Sequence, residues 1–276
     1  MRGVQKWATY LVLLAGAVLV MVPFLWLVIT AVSPPGTVFM GQFRLLPERL
    51  ALDNFSKALT HPEYPFARFF LNTVTVTLSS VVGCTFSAAL VAYAFARLRF
   101  RGSNWLFLLV LATMMVPYQV TMVPRFLLFR ELGWLDTLLP LFVPAFFGGG
   151  AFNIFLLRQF FRTIPQATLD AARIDGCGHF GTFWHVVLPM SKPALATVAI
   201  FTFMGSWNDF LAPLVYLNTK ENYTLAVGLA LFRTRAEMVD ITLLMAASLV
   251  VLLPCVIVFF ICQRLFIQGV VVTGVK

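Results

Sequence analysis

One stretch of this chain gathers several residues that could do chemistry. Residues 169 to 189 read Leu-Asp-Ala-Ala-Arg-Ile-Asp-Gly-Cys-Gly-His-Phe-Gly-Thr-Phe-Trp-His-Val-Val-Leu-Pro, setting two carboxylates, two imidazoles and a thiol among small residues. Metal chemistry fits poorly. His179 and His185 stand six apart, whereas two ligands on one helix face need four, and no third ligand accompanies them. Nucleotide chemistry fits no better, because no Lys-Ser/Thr follows Gly148-Gly149-Gly150 and no Gly-x-x-x-x-Gly-Lys-Ser/Thr loop occurs. Cys84, Cys177, Cys255 and Cys262 form no Cys-x-x-Cys pair and read as reduced packing residues. The stretch suits docking. Ala171 and Ala172 are small enough to let another surface approach closely.

The local signals give this stretch a shape. Thr163 is the expected N-cap of a first helix, Gln166 closes a capping box three residues on, and Pro165 is tolerated in the first turn. The helix should run to Asp175 and end on a left-handed Gly176. Gly178 loosens the turn, a second short helix follows from His179 to Val187, and Pro189 stops it.

The surroundings are apolar. Of the 276 residues, 60% are hydrophobic and 11% charged, and the mean hydropathy is +0.90, which excludes a soluble domain. Runs of about 20 apolar residues, enough to cross a hydrocarbon core, predict an all-α polytopic membrane protein. Its six helices are expected at about 8–31, 69–96, 104–123, 137–161, 193–217 and 241–266, within a single transmembrane domain over 1–276. The first of these is too long for a signal peptide, and it meets Pro34-Pro35 instead of a cleavage site. Six crossings put both termini on one side. Arg97, Arg99 and Arg101 crowd one short loop on that side, which marks it as cytoplasmic. The net charge of +9 is therefore mostly a topology signal, and no basic cluster interleaved with surface aromatics suggests nucleic acid.

Within this frame, the outer loop 32–68 is proline-rich with one short helix expected from Asn54 to Leu59. Thr73, Thr75, Thr77, Ser79 and Ser80 can bond their own backbone or a neighbouring helix. Pro117 and Pro124 should bend or stop the third span, at a pore or at an ordinary kink. The three glycines at 148–150 mark close helix approach or flexibility. Asp209 is the one carboxylate inside a predicted span. Placing it in lipid costs roughly 2.5–3.5 kcal/mol, so it faces protein or water, either lining a path with Asn208 or pairing with it structurally.

The stretch Asp170-Ala171-Ala172-x-x-Asp175-Gly176, with Phe183 and Leu188-Pro189 at the expected offsets, closely resembles the Glu-Ala-Ala loop of ATP-binding-cassette importer permeases. Val116 to Pro124, Leu132 to Thr137, Phe155 to Phe161, Trp207-Asn208-Asp209-Phe210, Pro213-Leu214, Leu52-Asp53-Asn54-Phe55 and Asn72 extend the likeness, narrowing it to carbohydrate permeases that pair two different membrane subunits. Asp170 stands where the family usually has Glu, and Cys177 where it usually has Ala. The resemblance implies the type I importer permease fold in a bacterial or archaeal cytoplasmic membrane. It also implies a second permease subunit, two ATPase subunits holding ATP and magnesium, and an extracytoplasmic binding protein, with no cofactor on this chain. The cytoplasmic loop 162–192 would couple to the ATPases through Asp170, Ala171, Ala172, Asp175, Gly176, Cys177, Phe183 and Pro189. The tail 267–276, with Gly269, Thr273, Gly274 and Lys276, would reach between the ATPases or else fray as an ordinary terminus. A sugar path needs aromatic faces and hydroxyl-bonding groups, for which Tyr118, Gln119, Asn153, Trp207, Asn208 and Asp209 are candidates. Arg233 and Arg235 keep a glycerol phosphate in play. An ion-coupled secondary transporter is the rival class, but it needs intramembrane ionisable groups or inverted repeats, and only Asp209 qualifies.

Overall fold

The computed structural model describes residues 2–36, 47, 49–234 and 241–271, which form helices, turns and loops with no strand among them. In chain order the helices are α1 (Arg2–Ala31), α2 (Asp53–Leu59), α3 (Phe66–Arg97), α4 (Ser103–Ala112), α5 (Tyr118–Glu131), α6 (Leu139–Phe142) and α7 (Ala151–Thr163). There follow α8 (Gln166–Ile174), α9 (His179–Thr182), α10 (Leu188–Met190), α11 (Lys192–Trp207), α12 (Leu211–Tyr216), α13 (Leu225–Thr234) and α14 (Ile241–Val271). Among the described residues, four helical stretches are long and apolar enough to cross a membrane, and two sharply bent pairs, Ser103–Met115 with Tyr118–Glu131 and His179–Met190 with Lys192–Trp207, pass only when each pair is taken together.

The bends correct the expectation of straight spans. The predicted span 104–123 is two arms, Ser103–Met115 and Tyr118–Glu131, bent by 98°. Val116 is extended, with ψ 112°, because the Pro117 ring excludes the helical region from the residue before it. Pro124, expected as a second stop, sits inside α5. The predicted span 137–161 is interrupted as well. A 3-10 turn at Val143–Phe146 leads into Gly148, Gly149 and Gly150, all with positive φ, before α7 begins. The predicted span 193–217 ends early at Trp207, and α12 resumes after a break at 208–210, so Asp209 does not lie within a continuous helix. Alone, the 16 residues of α11 reach about 24 Å, short of a hydrocarbon core of about 30 Å.

The chain packs as two compact units, Met1–Ala67 with Gly228–Pro254, and Arg68–Val227 with Cys255–Lys276. In the first unit, the fully buried Asn54 of α2 donates to the carbonyls of Ala31 and Ser33 at 2.9 and 2.8 Å, closing the end of α1. His61, Tyr64 and Phe66 meet the Phe232 ring edge-on at 5.0–5.6 Å. The apolar surface of α1 is left open, with none of its spanning window buried.

In the second unit the core forms where the small face of α3, Ala88, Ala89 and Ala92, lets neighbouring helices approach. Ile154, Leu157 and Phe161 of α7, Phe183 and Val187, and Ala194 and Val198 of α11 complete it. At Gly149 the approach is closest: a Cβ there would sit 2.4 Å from the Cys84 carbonyl oxygen. The Cys84 thiol donates to the Gly149 carbonyl at 2.9 Å and accepts from Asn153 and Thr202 at 3.1 and 3.3 Å, tying α3 to α7 and α11. Hydroxyls on α3 bond neighbours as well as their own helix. Ser87 donates to Ala145, and Thr73 accepts from the backbone N–H of Leu225.

Candidate functional site

The polar hairpin is built onto the end of α7. Ile164 is extended and buried before Pro165, and α8 starts at Gln166 with Pro165 at its N-cap. The expected Thr163 and Gln166 capping box does not form. Thr163 is the last residue of α7, its hydroxyl donates back to Phe160, and Gln166 donates instead to Asp170 at 2.9 Å. Arg97, at the end of α3, does what a cap would do for α7. Its guanidinium donates to the carbonyls of Phe161 and Ile164 and, at 3.4 Å, to the Gln166 side chain. Replacing Arg97 with Ala strands two half-buried carbonyls, a loss of about 1–3 kcal/mol. The expected result is a melting temperature lowered by several degrees in detergent, with Arg97→Lys, which keeps the charge but not the fork, intermediate.

The end of α8 follows the glycine signal. Gly176 takes φ +86°, its N–H donates to Arg173 at 3.0 Å, and the Cys177 N–H donates to Ala172 at 2.9 Å, which together make a Schellman closure. The helix is two-faced. Leu169 and Ala172 point into the core, while Asp170, Ala171, Arg173 and Ile174 are exposed, Ile174 at 86%. Ala172 is thus not on the outward face with Ala171, because one residue step rotates a helical side chain by about 100°. Asp170 is held outward by Gln166 and by Arg173 at 3.4 Å.

The second arm starts at His179, whose carbonyl accepts the Tyr93 hydroxyl at 3.1 Å. Phe180, 67% exposed, stacks on the half-exposed Trp184. Residues Phe183–Val187 form a wide π turn ahead of Pro189, which cannot donate to the preceding turn. The arm reaches Met190 and breaks at Ser191, two residues beyond the expected proline stop. Phe183, expected at a docking contact, is 1% exposed against Tyr93 and roots the hairpin in the core. Pro189 is exposed, and Cys177 is half-buried with its side chain near Gly181. Among the described residues no cluster of His, Cys, Asp or Glu forms a metal site.

A second site opens where the spans break. The 98° bend at Pro117 and the interruption at 208–210 place Tyr118, Arg125, Trp134, Phe147, Asp209 and Tyr216 around a cleft of about 550 Å³. Irregular backbone at membrane depth is tolerated in such a place because it borders protein or a polar cavity. The Tyr118 and Tyr216 hydroxyls lie 3.3 Å apart, and the Arg125 guanidinium sits 5.2 Å from the Tyr118 ring centre. The Asp209 carboxylate accepts the Ala212 N–H at 3.3 Å, at the start of α12. The cleft therefore offers aromatic faces, hydroxyls and one charge of each sign.

Of the six path candidates, only Tyr118 and Asp209 line this cleft. Gln119 is exposed one step round α5. Asn153 braces Gly149 and Cys84. Trp207 is buried, stacked on Phe203 and edge-on to Phe70, and Asn208 is exposed and bonds back to Met204. Thr273, Gly274 and Lys276 of the tail, and Arg235, lie outside the described residues, and Gly269 falls within α14.

Asp136, in the connection from α5 to α6, fixes the segment that follows the cleft residue Tyr216. With φ +60° it is the only non-glycine with a positive φ among the described residues. Its carboxylate accepts the Asn218 and Thr219 N–H groups at 2.9 and 2.8 Å and the Thr219 hydroxyl, while Asn72 holds the carbonyls of Glu221 and Tyr223 from α3. The Thr219 hydroxyl and then the two backbone N–H groups keep the Asp136 carboxyl well below the usual carboxylate range. A depressed folded value stabilises above the unfolded value of about 3.9 and is lost only as pH falls through the lowered one. Once the intrinsic base-catalysed rate is divided out, amide exchange over 217–223 should therefore be as strongly protected at pH 5 as at pH 7. It should speed by tenfold or more in Asp136→Ala, which also forces a Cβ-bearing residue without Asp's local bonds into the left-handed region.

The family model for binding-protein-dependent transport system inner membrane components matches residues 85–272. The chain is 36% identical over 256 residues to the arabinooligosaccharides transport system permease protein AraQ of Halalkalibacterium halodurans, covering 92% of this chain and 90% of the relative. It is 31% identical to the sn-glycerol-3-phosphate transport system permease protein UgpE of Yersinia pestis, over 95% and 94% of the two chains. Among solved structures it is similar to a chain of a bacterial ABC transporter involved in the import of the acidic polysaccharide alginate, with a TM-score of 0.81 and 26% identity over 93% and 94% of the chains.

Proposed function

The chain belongs to the family of binding-protein-dependent transport system inner membrane components, and from that premise we propose how its two sites divide the work. It is a permease subunit of an ATP-driven importer for a sugar or sugar-like solute. The cleft at Tyr118, Asp209 and Tyr216 belongs to the solute path, where the aromatic faces stack on sugar rings and the hydroxyls and carboxylate bond to sugar hydroxyls. The hairpin over 162–192 is the lever. Its outward residues Asp170, Ala171, Ile174, Asp175 and Gly176 dock in a groove on a separate ATPase subunit, so that ATPase closure moves α7 and α11 and switches the access of the cleft. ATP and magnesium reside on two such ATPase subunits, a second permease subunit completes the pore, and an extracytoplasmic protein delivers the solute. The hairpin lies between the fourth and fifth spans, so docking to a cytoplasmic ATPase places both termini in the cytoplasm.

One observation carries this reading: the hairpin is rooted by Leu169, Ala172 and Phe183 in the core, yet presents an acidic, small-residue face with a bare Ile174 to the outside. Rigid roots and an open face are what a force-transmitting contact needs. Arg125 in the cleft favours an anionic solute, such as a polyol phosphate, as the second reading. The test is to purify the complete transporter, reconstitute it with its binding protein, and measure ATP hydrolysis against a panel of oligosaccharides and glycerol phosphate. Stimulation by one of them is expected. Uptake driven by an ion gradient without ATP overturns the assignment.

A further inference from the structure

Beside the hairpin's roots, a cavity of about 850 Å³ opens where α3 runs into α4, against α7. It is lined by Arg99, Arg101, Asn104, Trp105, Arg158 and Arg162, with no acidic residue in its walls. Ion pairs form elsewhere, Lys57 with Asp53, Arg130 with Glu131 and Arg173 with Asp170. Arg158 is partly engaged, donating to the Phe95 carbonyl at 3.2 Å with its guanidinium 4.0 Å from the centre of the Phe107 ring. Four guanidiniums around one space, uncompensated by any carboxylate, fit a group with several anionic oxygens.

The apolar neighbours narrow the choice of anion. Trp105 is 76% exposed at the cavity's edge, in the first turn of α4, and Leu106, Leu108 and Leu109 next to it on that helix are also exposed. An indole at the rim followed by bare leucines is the pattern of a helix entering lipid at headgroup level. A free phosphate would satisfy the arginines and leave that apolar face uncovered, whereas a phospholipid covers both. We propose that this cavity binds the headgroup of an anionic phospholipid. Its phosphate lies among Arg99, Arg101 and Arg162, and its acyl chains run along the exposed leucines of α4. The site uses neither the cleft nor the outward face of the hairpin, and it rests only on α4 lying in the membrane.

The assembled transporter, delipidated in mild detergent, is offered an equimolar mixture of phosphatidylglycerol and phosphatidylcholine, and retained lipid is counted by native mass spectrometry. The wild type should keep phosphatidylglycerol in excess, and Arg99→Gln with Arg101→Gln and Arg162→Gln should lower its retention by at least about tenfold. Lysine at the same three positions should restore most of it, since the charge returns. The single Arg101→Gln variant should lose retention several-fold, which gives a reading even if the triple glutamine variant does not assemble. Arg130→Gln, outside the cavity, should change nothing. Equal retention by wild type and the glutamine variants overturns the site, as does displacement of the lipid by millimolar inorganic phosphate, which would mark a free-anion site.

Discussion

Ala171→Trp is expected to abolish solute-stimulated ATP hydrolysis by the assembled transporter while the variant still inserts, assembles and melts within a degree or two of the wild type. Ala171 is exposed on α8 beside Asp170 and two residues from Arg173, with nothing of its own chain to displace. An indole there leaves the fold alone and fills whatever space the docking partner needs. Ala172 gives the contrast, because it is buried beside Leu169. Ala172→Trp should lower stability by about 1–3 kcal/mol through overpacking and lose activity for that reason. Gly176→Val reaches uncoupling by a third route. Its Cβ would meet nothing within 4 Å, but φ +86° is costly for any side-chain-bearing residue, by about 1–2 kcal/mol and more for a β-branched one, so the Schellman closure shifts and the hairpin turn with it. Basal and stimulated hydrolysis, read beside thermal melting, separate the three cases. Stimulated turnover at the wild-type rate in Ala171→Trp would show that this face of α8 is not the coupling contact.

Gly149→Val should leave almost no folded protein. A Cβ at 149 would sit 2.4 Å from the Cys84 carbonyl oxygen and 2.7 Å from the Ala88 Cβ, and the carbonyl is backbone inside a long helix that cannot rotate away. Position 149 also has φ +66°. Left-handed strain adds about 1–2 kcal/mol to an overpacking penalty of about 1–3 kcal/mol, and separating α3 from α7 would break the Cys84, Gly149 and Asn153 bonds as well. Together these approach the whole stability of an ordinary domain, about 5–15 kcal/mol. Fluorescence-detected size exclusion of a tagged variant should show loss of the monodisperse peak. The same change at Gly148, whose Cβ meets open space, should be milder, costing backbone strain alone. Equal behaviour of the two variants would refute the claim that contact with α3, and not merely positive φ, fixes the glycine at 149.

Much of the hairpin was legible in residue order because its signals are local. Gly176 ends α8 as a left-handed glycine after a helix, and the connection from Gly176 through Gly178 to His179 falls where two glycines crowd. The Thr163 cap failed for an equally local reason. Pro165 restarts the backbone one residue after Ile164, so the helix begins too late for Thr163 to reach its first turn. The outward position of Ile174 was open to the same reasoning, since it lies about 140° round the helix from Leu169. In the cleft, Tyr118 and Asp209 were found because they flank breaks that proline and polar residues announce. Arg125, Trp134 and Tyr216 were not, because nothing in their own neighbourhoods marks them. The same holds for Arg97, whose role depends on carbonyls more than sixty residues away.

Residue order by itself determined that this is a helical membrane chain interrupted by an exposed polar hairpin. Hydrophobic run length, glycine and proline all act within a few residues of themselves, and in lipid an apolar run of about 20 residues satisfies its polar backbone groups locally by forming a helix. Only the tertiary structure decided which side of α8 faces out, that Phe183 is a root and not a contact, that a span can turn by 98° at Pro117, and that Tyr118, Arg125, Asp209 and Tyr216 share one cleft. Those outcomes depend on how close α3 can come to α7 and α11, which is set by the space between side chains distant in the chain.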